Sequence, residues 1–166
     1  MIQVMGEALI DIIVSPQGEI DSVVGGGPVN TARTIARLGT EVSFLGGISQ
    51  DALGKRISRL LESDNVNCAI EQHCAAPTTL AIASLDESGS ASYQFLICGT
   101  SSLSVTPEIA LAAVNPSAVA VHIGTLALIF EPLSSATRAV VSAMGEDQLL
   151  MMDPNARPSV MDDPTQ

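Results

Sequence analysis

Gly25-Gly26-Gly27-Pro28-Val29-Asn30-Thr31-Ala32, running on to Gly39, is the stretch around which this chain is organised. Three successive glycines allow backbone angles and close approaches that a Cβ forbids. Pro28 suits the first turn of a helix, where its missing N–H is no loss. Val29, Ala32, Ile35, Ala36 and Leu38 then recur at helical spacing, and Gly39 suits the stop. A bare backbone is thus delivered to a helix N-terminus, with Asn30 in the first turn. Free N–H groups and the positive end of the helix dipole point to one place. Such a corner suits either phosphate or a hydroxyl-rich ligand. Asn30 carries both a donor and an acceptor, as a sugar hydroxyl requires. The plain alternative is a tight turn before a packed helix.

Two other glycine motifs do not fit. A dinucleotide fingerprint needs G-x-G-x-x-G, and its last position here is Asn30, which disfavours a dinucleotide-dependent oxidoreductase. A phosphate loop needs G-x-x-x-x-G-K-[ST], and Lys55, the only lysine, lacks that spacing.

Outward from this corner, apolar stretches at 2–7, 42–46, 118–123 and 148–152 lack polar alternation and read as buried strands. Helical segments separate them: one to about Leu38, one over Ala52–Ser63 with Asp51 as N-cap, one from Thr106 to about Val114, and one from Glu131 to Met144 entered through Pro132. Alternating strands and helices predict a parallel sheet covered on both faces. The first strand reads as long, over 2–14, with its later part leaving the main sheet. Residues 67–72 read as a further strand. Residues 9–24 and 78–96 read as hairpins, turning at Ser15-Pro16-Gln17-Gly18 and Asp86-Glu87-Ser88-Gly89-Ser90, and these predict a small projecting sheet.

A chain of 166 residues is one domain's worth and can bury a sizeable core. Hydrophobic residues make up 46% and aromatics 2%, so that core is aliphatic. A formal charge of −11 argues against nucleic-acid and anionic-membrane partners. It leaves room for ATP, which backbone N–H groups can bind. Three cysteines with no C-x-x-C predict reduced thiols and a cytosolic setting, without a disulfide framework or zinc site. No signal peptide is predicted, because the N-terminus lacks a positive region and Glu7 and Asp11 interrupt its apolar run. The apolar stretch from Ile109 to Phe130 is broken by Asn115-Pro116-Ser117 and reads as helix, loop and strand rather than a membrane span.

Gly-Gly-x-x-x-Asn-x-Ala followed by a Gly resembles the first signature of the ribokinase-like (PfkB) carbohydrate kinases. A later Gly of that signature is Ser49 here, and Gln50-Asp51-Ala52-Leu53-Gly54 then continues like the family's G-x-D-x-x-G turn. Gly6-Glu7-Ala8-Leu9-Ile10-Asp11 resembles the family's opening strand. Asp153-Pro154-Asn155-Ala156-Arg157-Pro158 resembles the D-P-N-x-R-P of its fructokinase and 2-keto-3-deoxygluconate kinase branches. The likeness spans all of residues 1–166 but only the first half of a family member. It implies the N-terminal part of one ribokinase-like α/β domain, with lid strands near 9–24 and 78–96 over a sugar. It implies ATP and Mg²⁺ as cofactors, a cytoplasmic enzyme, and a homodimer formed through the lid.

Asp11, a charge late in an apolar strand, is either an edge-facing residue or an acceptor for sugar hydroxyls, and the resemblance favours the second. Gly26, Gly27 and Asn30 match sugar-contacting positions of the signature. Glu131 is either a first-turn acid or a ligand group beyond a parallel strand. Arg157 is either a partner of Asp162 or Asp163 or an anion-binding group. Asp153 and Asn155 suit a turn. His73 and His122 stand alone, His122 as a core residue, and no residues are spaced for a metal. The family's catalytic Gly-Ala-Gly-Asp stretch does not occur in these 166 residues. No catalytic residue and no nucleotide site are therefore assigned to them, and the chain alone is expected to be inactive. A non-catalytic sugar-binding or interaction module is the alternative. Fructose is the first candidate sugar and 2-keto-3-deoxygluconate the second, both from resemblance.

Overall fold

A computed structural model describes residues 1–155. Its main sheet has five parallel strands. In chain order they are β1 (Ile2–Met5), β4 (Val42–Leu45), β5 (Asn67–Cys68), β8 (Ala120–Gly124) and β9 (Leu149–Asp153), arranged β5-β4-β1-β8-β9. Val4 pairs with Phe44 on one side and His122 on the other, which places β1 centrally. Helices cover both faces, so these strands need no polar alternation. On one face Val4, Val42 and Phe44 pack with Val29 and Ala32 of α1 (Gly27–Arg37) and Ile57 and Leu61 of α2 (Ala52–Ser63). On the other, Met5, Leu45, Val121 and Ile123 pack with Ala110 of α3 (Pro107–Ala113) and Leu133, Ala136 and Val140 of α4 (Leu133–Ser142).

Local chemistry fixes the helix ends. Asp51 caps α2, its carboxylate accepting from the Gly54 N–H at 2.7 Å. The same side chain accepts from the N–H and hydroxyl of Thr78, at 2.8 and 2.6 Å, and so ties α2 to the second sheet. Thr106 caps α3 through the Ile109 N–H.

That second sheet has four strands in the order β3-β2-β6-β7: β2 (Leu9–Val14), β3 (Ile20–Gly25), β6 (Thr79–Leu85) and β7 (Ala91–Leu96). The pairs β2–β3 and β6–β7 are the two expected antiparallel hairpins. They fuse side by side through a parallel β2–β6 ladder, Asp11 opposite Ala81. Side chains alternate across the sheet. Ile10, Ile12, Val24 and Leu80 pack against the α1/α2 core. The register puts Leu9, Asp11, Tyr93 and Phe95 on the opposite face.

Three expectations are corrected. The strand over 2–14 is two strands, because the chain turns at Gly6, Glu7 and Ala8 to pass from one sheet to the other. The strand at 67–72 shrinks to Asn67–Cys68, which pair with Ser43 and Phe44 of β4. Residues 148–152 do form a strand, but β9 is exposed throughout: it is an edge strand with no described layer over it.

Candidate functional site

A cavity of about 170 Å³ opens between the two sheets, beyond the C-terminal ends of β1 and β8. Ligands of α/β proteins bind at this end of the strands. Its floor comes from Glu7, just after β1, and from Thr125 and Leu126, just after β8. One wall is the glycine corner with Asn30, and the opposite wall is the Leu9, Asp11, Tyr93 and Phe95 face of the second sheet. Asn155, beyond β9, also lines it.

The glycines make these approaches possible. Gly26 adopts φ 103°, and a Cβ there would lie 2.6 Å from the Glu7 carbonyl oxygen. It is the residue before α1, with Pro28 in the first turn, as the sequence predicted. Gly25 stands beside Asp11 across the β2–β3 ladder, where a Cβ would meet the Asp11 carboxylate at 2.0 Å. The missing side chain gives that carboxylate its place on the cavity wall.

Asp11, Gly26, Gly27 and Asn30 are thus brought to one cavity, with Asn30 exposed on the first turn of α1. Glu131 is not. The turn after β8 carries it past the strand end to an exposed position, where its carboxylate accepts from Arg138 at 2.5 Å and from the Ser135 N–H at 3.2 Å. Hydrogen bonds from Ser135 and Arg138 hold it down at about 2, and it stands just ahead of α4, before Pro132, rather than in its first turn. Arg157 lies outside the described residues. Asp153 accepts from the Asn155 N–H at 3.2 Å, the expected turn, and Asn155 reaches the cavity as well.

Tyr93, Phe95, Glu7 and Thr125 are among the cavity residues not singled out from the sequence. Tyr93 and Phe95 stack with ring centroids 6.2 Å apart and planes at 13°. They are two of only four aromatic residues, three Phe and one Tyr, and their scarcity together with their i, i+2 spacing was the available signal. Glu7 is 2% exposed. Its charge within an apolar run was visible, but its burial was not. Its Oε1 accepts a short hydrogen bond from the Thr125 hydroxyl, while Oε2 is buried without a partner. Burial pushes the Glu7 carboxyl up to about 7, against the pull of Thr125 and of the nearby Gly27 and Leu126 N–H groups. Thr125 has φ 59°, an outlier for a β-branched residue that costs on the order of 1–3 kcal/mol. No sequence pattern announces it.

No group of three metal-ligating side chains occurs among the described residues. No lysine, arginine or histidine is among the described residues that line the cavity. The volume falls well below the ~300–1,000 Å³ typical of sites for drug-sized molecules. A carboxylate, an amide, the glycine backbone and two aromatic rings share this small volume.

Comparison with known proteins is decisive at this point. The pfkB family carbohydrate kinase model matches residues 1–166. This chain belongs to that family. It is 29% identical over 167 residues to a fructokinase of Klebsiella pneumoniae, covering 98% of this chain and 53% of that protein. It is 32% identical over 164 residues to fructokinase-2 of Zea mays, covering 92% and 48%. Among solved structures, the fructokinase of Xylella fastidiosa superposes with a TM-score of 0.81 at 25% identity, covering 98% of this chain and 55% of the other. A Vibrio cholerae fructokinase solved with fructose, ADP and calcium gives 0.80 at 26% identity, covering 99% and 53%. The fold is therefore ribokinase-like, and this pfkB chain spans about half the length of the curated relatives it matches.

Proposed function

We propose that this chain supplies the sugar-binding part of an ATP-dependent carbohydrate kinase, with fructose as the acceptor sugar. The observation that carries this reading is the convergence of Asp11, Asn30 and the Gly26-Gly27 backbone on one small cavity. Asp11 accepts hydrogen bonds from sugar hydroxyls, Asn30 both donates and accepts, and the glycine corner lets the ring approach the backbone. Tyr93 and Phe95 offer apolar faces to the ring's C–H groups. The second sheet acts as a lid, its Asp11 face over the sugar, in one ribokinase-like domain that begins in these residues. Its exposed apolar residues Ile20 and Leu96, 72% and 44% exposed, suit a homodimer contact.

ATP with a divalent metal, in a cytoplasmic setting, is the donor by family and by the ADP and ATP in relatives' structures. When bound, it supplies the phosphoryl group. The cavity residues bind and orient the acceptor, and positioning is the larger part of phosphoryl-transfer catalysis. The cavity itself offers a nucleotide no cation among the described residues, and the Gly-Ala-Gly-Asp stretch does not occur in residues 1–166, so these residues alone are expected not to phosphorylate sugar. A non-catalytic sugar-binding module is the second reading, and it rests on the same cavity.

Calorimetric titration of the chain with D-fructose, D-ribose and 2-keto-3-deoxygluconate tests the binding claim. Fructose is expected to bind, and Asp11→Ala to weaken it by about 1.5–3 kcal/mol for each hydroxyl bond lost. Equal affinity of Asp11→Ala for every sugar would remove Asp11 from the site. An ADP-release assay on the same chain tests the second claim, and sugar-dependent turnover would contradict it.

A further inference from the structure

Glu7 is the only buried carboxyl among the described residues, and it is unused in the reading above. It sits where two helical N-termini meet. One is α1, whose Gly27 N–H lies by the carboxyl; the other is the short 3-10 turn Thr125–Leu128, whose Leu126 N–H does the same. Its Oε1 is held by the Thr125 hydroxyl, and Oε2 is buried with no partner. The three parts are in close contact: a Cβ on Gly27 would lie 2.6 Å from the Thr125 methyl group, and one on Gly26 would lie 2.6 Å from the Glu7 carbonyl. A strained Thr125 and an unsatisfied buried oxygen, both at the edge of one ligand cavity, mark a place where stability has yielded to function.

We infer that Glu7 is a positioning residue of the sugar site, a buried carboxylate that locks the Thr125 turn and the N-terminus of α1 into the arrangement the sugar meets. The inference rests on the proposed sugar site. The ionised form is the competent one, because an anion draws both backbone N–H groups and the Thr125 hydroxyl inward. Sugar affinity then rises with pH as Glu7 ionises, around pH 7. Other groups facing it are few: Asp11 from β2 and Tyr93 from β7 line the same cavity, α1 presents the uncharged Asn30, and no described cation is among the lining residues.

The test uses the 166-residue chain with D-fructose as the probe, and two readouts. The first is fructose affinity against pH. Glu7→Gln, which keeps shape and loses charge, is expected to bind about tenfold or more weakly, the scale of one hydrogen bond to a charged group, and to lose the pH dependence. Thr125→Val is expected to weaken binding in the same sense, and Thr125→Ser to restore it. The second is the amide signals of Gly27 and Leu126 in the ligand-free chain. They are expected to titrate with a midpoint of about 7 and to stop doing so in Glu7→Gln. If Asp11→Ala loses fructose while Glu7→Gln binds like the parent at every pH, Glu7 is not a positioning residue and the sugar site stands. If the parent chain binds no sugar, the proposed function fails and the role in sugar binding with it, and the amides then decide only whether Glu7 holds the Thr125 turn against α1: titration lost in Glu7→Gln supports that contact, and amides that do not titrate overturn it.

Discussion

The two flanks of the main sheet differ sharply. Around β1 and β4, Val4, Val42, Phe44 and Leu45 are fully buried, and the end of β1 delivers the chain into the cavity. At the other flank, β9 is as apolar in sequence, yet Leu149, Leu150, Met151 and Met152 are 60%, 42%, 44% and 62% exposed. Apolar composition without alternation predicts a covered strand, and β9 is covered on neither face by the described residues. The difference separates two properties that a sequence merges: what a strand is suited to pack against, and what it packs against here. The cavity takes its floor from the ends of β1 and β8 and, among the described residues, meets the β9 flank only through Asn155.

Substitution breaks this comparison most strongly in the core. Phe44→Ala is expected to destabilise the chain by about 3–5 kcal/mol, whereas Leu149→Ala on β9 is expected to change stability by less than about 0.5 kcal/mol. Denaturant unfolding of both variants measures the contrast. Similar losses would mean that β9 is buried in solution, for example by a second copy.

The next effect is one of pH. Glu7 titrates at about 7 folded against 4.5 in the unfolded chain, so the folded state binds the extra proton between those values. Its contribution is fully present below 4.5 and is lost as pH rises to about 7. The loss is about 3 kcal/mol at most. Glu7→Gln is expected to flatten this slope in urea melts across the same window, and an unchanged slope would show that Glu7 is not the group responsible. Asp51 works in the opposite direction. Burial raises its carboxyl, but bonds from Thr78 and the Gly54 N–H outweigh that and bring it from 3.8 to about 2. Its contribution is present above 3.8 and lost as pH falls towards 2. Asp51→Asn is expected to reduce the acid-side loss.

The smallest effect concerns association. An exposed apolar edge strand pairs with other chains. Met151→Lys on β9 is expected to reduce self-association in sedimentation velocity runs without moving the melting temperature. A monodisperse parent chain would contradict that expectation.

Much of this was legible in the sequence. The glycine corner, Pro28 and the helical spacing after it placed α1 and the ligand wall, since each acts within a few residues. Asp51 was readable as a cap for the same reason. The parallel β2–β6 ladder that fuses the two hairpins was not, because it joins residues about seventy positions apart. Glu7 showed as a charge in an apolar run, but its burial depends on α1 and the turn after β8 closing over it. Glu131 shows the reverse: it follows the end of β8 as the sequence suggested, yet its carboxylate meets Arg138 and the Ser135 N–H and is not among the residues lining the cavity.

Mapping fructose onto the isotopically labelled chain by amide chemical shifts tests the account most directly. The largest shifts are expected on Asp11, Gly26, Gly27, Asn30 and Thr125, with β9 from Leu149 to Met152 unmoved. Shifts centred on β9 or scattered over both flanks, or none at concentrations that saturate a fructokinase, would contradict the assignment of this cavity to a sugar.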